Sequence, residues 1–281
     1  MKLARCADGT HFFWAVVDPD RDRARRIAGG VSDWGPALAK GEGEAALTFA
    51  PGELRLSDLR LLAPCDNTSK VVIAGANYAR HLKEFGVAAP TQPIAFLKAY
   101  GALIGPYDEI QYPQLTEELD YECELVVVMG DQAIDLEDPL SSVLGYAAAN
   151  DVSARDLQRS GPAGIGMDLY AAKSQDRSTP VGPWIVTRDE FPNGSPHLRL
   201  STTINGERRQ DGTTADMTWD VVELIQFVHA RVSFSAGDLL FTGTPEGVGQ
   251  ASGRYLSPGD TVEVELEGVG VLRNRVGPKG G

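Results

Sequence analysis

Short apolar runs and tight-turn residues alternate along most of this chain, and one clear helical pattern interrupts them. Residues 220–230 place Val221, Val222, Leu224, Ile225 and Val228 on one side, the spacing of an amphipathic helix. Runs at 71–75, 95–98, 118–129, 141–150, 183–186, 198–204, 238–242 and 261–271 read as strands. Asn193-Gly194, Asn205-Gly206 and Pro258-Gly259-Asp260 supply turns between them. So many strands with so few helices argue against a doubly wound parallel sheet, where helices alternate with strands. The pattern predicts a mainly β fold with some α: a mixed or antiparallel sheet bent into a roll or barrel, with many of the 31 glycines at its bends.

Residues 1–65 read as a small separate unit, with a strand at 12–17, charged solvated turns at 18–26 and an apolar run at 54–62. Pro64 and the polar residues 66–69 mark an edge, and a main domain follows over 66–281. A net charge of -13 leaves no basic footprint for nucleic acid, so none is expected as a partner. No apolar stretch approaches the roughly 20 residues that span a bilayer, and the first ten residues lack the apolar run of a secretory signal. These readings place the chain in the cytoplasm, away from membranes. Cys6, Cys65 and Cys123 are too scattered for a metal knuckle or a disulfide framework.

Within the 118–129 run, Glu122 and Glu124 are two apart and so face the same way, as does Asp120. Neighbouring buried carboxylates repel and are poorly solvated. A hard divalent cation with oxygen ligands neutralises them directly; an exposed edge strand carrying acids against aggregation is the alternative. Asp151, directly after an apolar strand, is placed as a third ligand, or else as a helix N-cap. Arg155 and Gln158, three apart, share a side of any helical turn there, where they suit a substrate carboxylate and a developing oxyanion. Lys173, in a polar stretch, suits an enolate or carboxylate oxygen, and Gln175, Asp176 and Arg177 share its loop. The Thr242-Gly-Thr-Pro-Glu-Gly-Val-Gly249 loop offers hydroxyls and backbone N–H groups for an anion. His81 and Glu84 are spaced to meet on one helical face, either as a base oriented by a carboxylate or as a plain surface pair.

Read in order, these segments resemble the fumarylacetoacetate hydrolase family. The resemblance rests on Gly-Ala-Asn-Tyr-Ala-Arg-His-Leu-Lys-Glu at 75–84, Asp-Tyr-Glu-Cys-Glu at 120–124 and Gly-Tyr-Ala-Ala-Ala-Asn-Asp-Val-Ser-Ala-Arg-Asp-Leu-Gln at 145–158. Lys173-Ser174, Asn205-Gly-Glu207 and Thr242-Gly-Thr-Pro245 complete it, so that it spans about 65–276. It implies that family's mixed β roll with a small N-terminal α/β domain, commonly as a homodimer. It also implies Mg2+ or Mn2+ on Glu122, Glu124 and Asp151, and substrate contacts from Lys173, Arg155, Gln158 and Thr244. His81 and Glu84 match the dyad that activates water in hydrolytic members.

The implied chemistry is hydrolytic cleavage of a carbon–carbon bond in a 2,4-diketo acid, an acylpyruvate or a fumarylacetoacetate-like compound. A 2-oxo acid would chelate the ion, and water activated by His81 would attack the distal carbonyl. Decarboxylation of an oxaloacetate-like acid, or isomerisation of a 2-hydroxy-diene dioate, would use the same site. A facial-triad oxygenase needs two histidines at the ion, and the candidate ligands are all carboxylates. Residues 160–170 and 175–178 depart from the wording common in the family, and Arg177 is expected to read a second substrate carboxylate there.

Overall fold

Leu125 to Met129 is an unbroken apolar run, the kind of strand that is stable where both faces are covered. A computed structural model of the protein describes residues 1–280. This run lies in the strand Cys123–Met129, every residue of which is buried. The strand is central: Val143–Asn150 pairs with it on one side and Leu239–Phe241 on the other, both antiparallel. Protection of an exposed edge therefore does not explain the acids.

On one flank the sheet continues through Thr179–Thr187 to Lys2–Asp8, His11–Asp18, Arg23–Ile27 and Leu54–Arg55. On the other, Val71–Gly75 runs parallel to Leu239–Phe241 and is followed by Ile94–Lys98. Just beyond that last strand, Leu103–Ile104 pairs in parallel with Thr179–Thr187, so the sheet rolls round upon itself. A second sheet of five strands runs Glu207–Thr213, Arg199–Ile204, Thr261–Leu266, Gly270–Lys279 and Ile110–Tyr112. Its first hairpin turns at Asn205 and Gly206, both with positive φ (51° and 82°), a geometry that matches strand twist. This is the mixed β roll with modest helical content that the strand pattern predicts.

Alternation along Cys123–Met129 divides the interior. Leu125, Val127 and Met129 join a core with Leu200, Val264 and Leu272 of the second sheet and with Leu224 and Ile225 of the helix Val221–His229. Val126 and Val128 face a second core with Ile73, Phe241 and Trp34. The Val221–His229 helix begins, as its sequence predicts, at Asp220, which forms a capping box with Glu223.

Several local readings change. The 118–129 run is two strands: Leu119–Asp120 leaves the main sheet and pairs with Ser153–Ala154. The 261–271 run is a hairpin, with Thr261–Leu266 pairing Gly270–Lys279. The strand Arg23–Ile27 begins within the charged 18–26 stretch, with Ala24 and Ile27 inward. A helix at Val31–Ala39 was hidden by its Gly35 and Pro36; a Cβ on Gly35 would lie 2.9 Å from the Gly130 carbonyl, so the close approach requires glycine. Lys2–Asp8 pairs with Thr179–Thr187 and stitches the leading segment to the main sheet.

Candidate metal centre and active site

The pairings bring four chain segments to one end of the roll. Cys123 lies opposite Asn150, and Phe241 is in register with both Val126 and Ile73. Residues 122, 151 and 242, and the segment after Gly75, therefore leave the sheet at the same end. One carboxylate oxygen from each of Glu122, Glu124 and Asp151 lies within 4.8 Å of the others, and all three residues are buried. Asp151 caps no helix, since the Arg155–Gln158 turn has Ala154 at its N-cap. The Asp151 amide instead donates to the Glu122 carbonyl at 2.9 Å, tying the two segments together.

Charge is unevenly balanced within this group. Lys173 Nζ lies 2.6 Å from Glu122 Oε2 and 2.6 Å from Asp151 Oδ2, and Lys98 Nζ is 2.8 Å from Asp151 Oδ1. Arg155 donates to Glu122 Oε1 at 2.6 Å and to Asp120 Oδ2 at 2.8 Å. Asp120 also accepts from the Gly249 and Gln250 amides, so it orients Arg155 and stands outside the three-carboxylate group. Glu124 has no cation partner among the described residues. It accepts the Gly243 N–H at 2.7 Å, an amide freed for it by a left-handed φ of +91°.

The proton affinities follow from these contacts. Burial raises the Glu124 carboxyl well above the ordinary range, and the charges of Asp151 and Glu122 add to the rise. Burial also opposes ionisation of Glu122, but Lys173 and Arg155 outweigh it and hold its carboxyl low. Burial works against the Lys173 ammonium, and Asp151 and Glu122 more than offset this, raising its pKa. A buried carboxylate beside two others, with one amide as partner, requires either a proton or a further cation. All-oxygen donors of this kind fit a hard divalent ion such as Mg2+ or Mn2+.

His81 and Glu84 lie on the short helix Ala79–Glu84. The His81 ring is near enough to feel Glu122, Arg155, Lys173 and Asp120, and burial, the largest influence, lowers its pKa. Its Nδ1 is 3.6 Å from Glu84 Oε2 and has no hydrogen-bond partner. Glu84 instead accepts the Gly247 N–H at 3.1 Å. The Arg155 guanidinium donates to Gln158 Oε1 at 3.2 Å. The Thr244 hydroxyl is engaged within the fold, donating to the Cys123 carbonyl and accepting from Gln210, both at 2.9 Å. Lys173, read from the sequence as part of a polar stretch, ends a short helix, Leu169–Lys173. Arg177 is exposed with φ +51°, and no ion pair or hydrogen bond joins its guanidinium to the carboxylates among the described residues. Lys98 was missed as a site residue; a lysine ending an apolar strand was its one sign.

The profile of the fumarylacetoacetate hydrolase C-terminal region matches residues 70–277. The chain belongs to the fumarylacetoacetate hydrolase family. A 2,4-didehydro-3-deoxy-L-rhamnonate hydrolase from a Sphingomonas strain is 37% identical over 93% of this chain and 90% of its own length. A human mitochondrial oxaloacetate tautomerase is 38% identical over 84% of this chain and 77% of its own. The solved structure of a 5-carboxymethyl-2-hydroxymuconate delta-isomerase from Mycobacterium smegmatis is 34% identical and superposes with a TM-score of 0.81, covering 99% of this chain and all of that one. No helix is long and apolar enough to cross a membrane among the described residues.

Proposed function

We propose that this family member is a divalent-metal-dependent hydrolase that cleaves a carbon–carbon bond in a 2,4-diketo acid, with Glu122, Glu124 and Asp151 as the ligands of Mg2+ or Mn2+. The observation that carries the reading is Glu124, a buried carboxylate beside two others with no cation of its own. An ion held there supplies a Lewis acid for the ketone and carboxylate oxygens of a 2-oxo acid. His81, kept neutral by burial, takes a proton from water as the water oxygen bonds to the distal carbonyl carbon. The amide nitrogen of Gln158, which donates to nothing among the described residues, and the Lys173 ammonium are the donors for the resulting oxyanion. The carbon–carbon bond then breaks, its electron pair passes to the 2-oxo half as an enolate, and His81 returns the proton. Arg155 and Thr244 belong to the substrate surround, and Arg177 to its distal edge. The reading includes a cytoplasmic homodimer and a domain boundary near residue 65, just before the family match begins at residue 70.

A second reading, isomerisation or decarboxylation of a related 2-oxo acid, is favoured by the Glu84 contact. With Glu84 held by Gly247, His81 lacks the partner that strengthens a base toward water. Mn2+-loaded protein given acylpyruvates, fumarylpyruvate, diketo sugar acids and oxaloacetate in 18O-water decides between them. Solvent oxygen in a carboxylate product establishes hydrolysis. A product of unchanged mass, or carbon dioxide without that label, overturns it.

A further inference from the structure

Lys98 is the least expected member of the cluster. It ends the strand Ile94–Lys98, reaches the carboxylates from across the rolled sheet, and has a side chain with no solvent exposure. Its ammonium is 2.8 Å from Asp151 Oδ1, while Lys173 holds Oδ2 of the same carboxylate at 2.6 Å. Asp151 is therefore bracketed by two buried cations, although one ion pair would be enough to balance its charge. A second buried lysine is costly to desolvate. For a scaffold contact alone, an uncharged donor in the same place would satisfy Oδ1.

Its charge is what a neutral donor lacks. With every group ionised, Asp120, Glu122, Glu124 and Asp151 bring four negative charges, and Lys98, Lys173 and Arg155 bring three positive ones. The protein part of the site is thus one charge negative, and a divalent ion makes the loaded site one charge positive. Without Lys98 the protein part would be two charges negative and the loaded site neutral. An acidic chain of net charge -13 gives no long-range attraction to an anion, so such a site would bind a carboxylate head with little electrostatic help.

We propose that Lys98 is a positioning residue that sets the charge of the loaded site: it weakens the grip on the cation and in exchange makes the site selective for an anionic, chelating 2-oxo acid. The inference rests on the metal reading above. It predicts opposite changes for the two ligands when the charge is removed. A lysine that merely holds Asp151 in place predicts a loss of both.

The test is calorimetric titration of metal-free protein with Mn2+, then of Mn2+-loaded protein with oxalate, a dianionic oxygen chelator. Lys98→Gln keeps a donor for Asp151 Oδ1 and removes the charge. It is expected to bind Mn2+ at least about tenfold more tightly and oxalate at least about tenfold more weakly, the lower end of what one buried charge acting over several ångströms supplies. Lys98→Arg should stay close to wild type in both. Weaker Mn2+ binding by Lys98→Gln, or unchanged oxalate affinity, would overturn the proposal. If Lys98→Gln does not fold, Lys98→Met carries the same two titrations with the same opposed expectations. Wild-type protein that takes up no Mn2+ would instead remove the metal reading, and this inference with it.

Discussion

Replacing Glu124 with glutamine separates what the acid costs the metal-free fold from what it contributes once a cation is bound. In metal-free protein the Glu124 carboxylate has one hydrogen bond, from Gly243, and an oxygen within 4.8 Å of an oxygen of Glu122 and of Asp151. Two like charges at that distance repel by about 3–4 kcal/mol at an effective dielectric near 20, and nearby Lys173 cancels part of this. The amide of Glu124→Gln keeps the shape and an oxygen for the Gly243 N–H, and it removes the charge. In EDTA the variant is therefore expected to be more stable than wild type, by about 1–2 kcal/mol after that offset, or roughly 2–3 °C in melting temperature. Mn2+ at a hundred times its Kd stabilises wild type by about 2.7 kcal/mol, or roughly 5 °C, and does little for a variant lacking one anionic ligand. The order of the two melting temperatures thus inverts on adding metal.

The pH dependence has a definite sign. Burial, with Asp151 and Glu122, raises the folded-state pKa of Glu124 above its ordinary 4.5, so the unfolded chain releases this proton first. Metal-free wild type therefore loses stability from this group as pH rises from 4.5 through the folded-state value, and Glu124→Gln abolishes that component. Differential scanning fluorimetry across pH, with EDTA or Mn2+, measures both effects. A variant less stable than wild type in EDTA, or one with an equal Mn2+ shift, would refute the reasoning.

Three further outcomes follow from the same geometry. His81→Asn should lower hydrolytic kcat by about 10²–10⁴ and leave calorimetric Mn2+ affinity unchanged; a parallel loss of Mn2+ affinity would put His81 at the ion. Lys173→Met leaves Glu122 and Asp151 each short of a buried cation and should cost metal-free protein about 3–5 kcal/mol in urea unfolding, with no loss counting against these ion pairs. Gly243→Ala places a Cβ 3.0 Å from the Asn77 Cβ and 3.2 Å from the Ala74 carbonyl at φ +91°. It should cost about 1–3 kcal/mol and weaken Mn2+ binding by moving the N–H that Glu124 accepts, whereas an unchanged melt and affinity would show that this turn is not constrained.

The sequence made the carboxylates legible because apolar strands are read easily, and an acid within or just after one needs an explanation. Glu124 interrupts an apolar run, Glu122 precedes it, and Asp151 follows another. The amphipathic helix was visible from its apolar spacing, and the Asp220/Glu223 capping box of the fold agrees with that start. Lys98 was obscure because its meaning depends on the rolling of the sheet, which brings residues 53 apart in sequence into contact and leaves no local pattern. The Val31–Ala39 helix was hidden because packing against Gly130 selects a glycine that intrinsic helix preference disfavours. The spacing of His81 and Glu84 left open an oriented base or a plain surface pair, because three-residue spacing fixes a shared face and not a hydrogen bond. The Gly247 amide, far away in sequence, holds that carboxylate.

The two halves of the site are held by forces of different strength. Glu122, Asp151, Lys98, Lys173 and Arg155 are all buried and cross-paired, so displacing any one leaves charge uncompensated in the core. His81 lies on the six-residue helix Ala79–Glu84, fastened to the 242–249 loop by Glu84 on the Gly247 amide and by an exposed Arg80–Glu246 pair at 3.5 Å. Exposed pairs of that kind contribute about 0–1 kcal/mol. On the reading proposed above, changes around this helix would move His81 relative to the carboxylates. The connection between the halves runs through one stretch of backbone: Gly243 donates to Glu124 and Gly247 to Glu84. On the reading proposed above, the conformation of that stretch sets the distance from His81 to the carboxylates, and with it whether water or a substrate proton would lie within its reach.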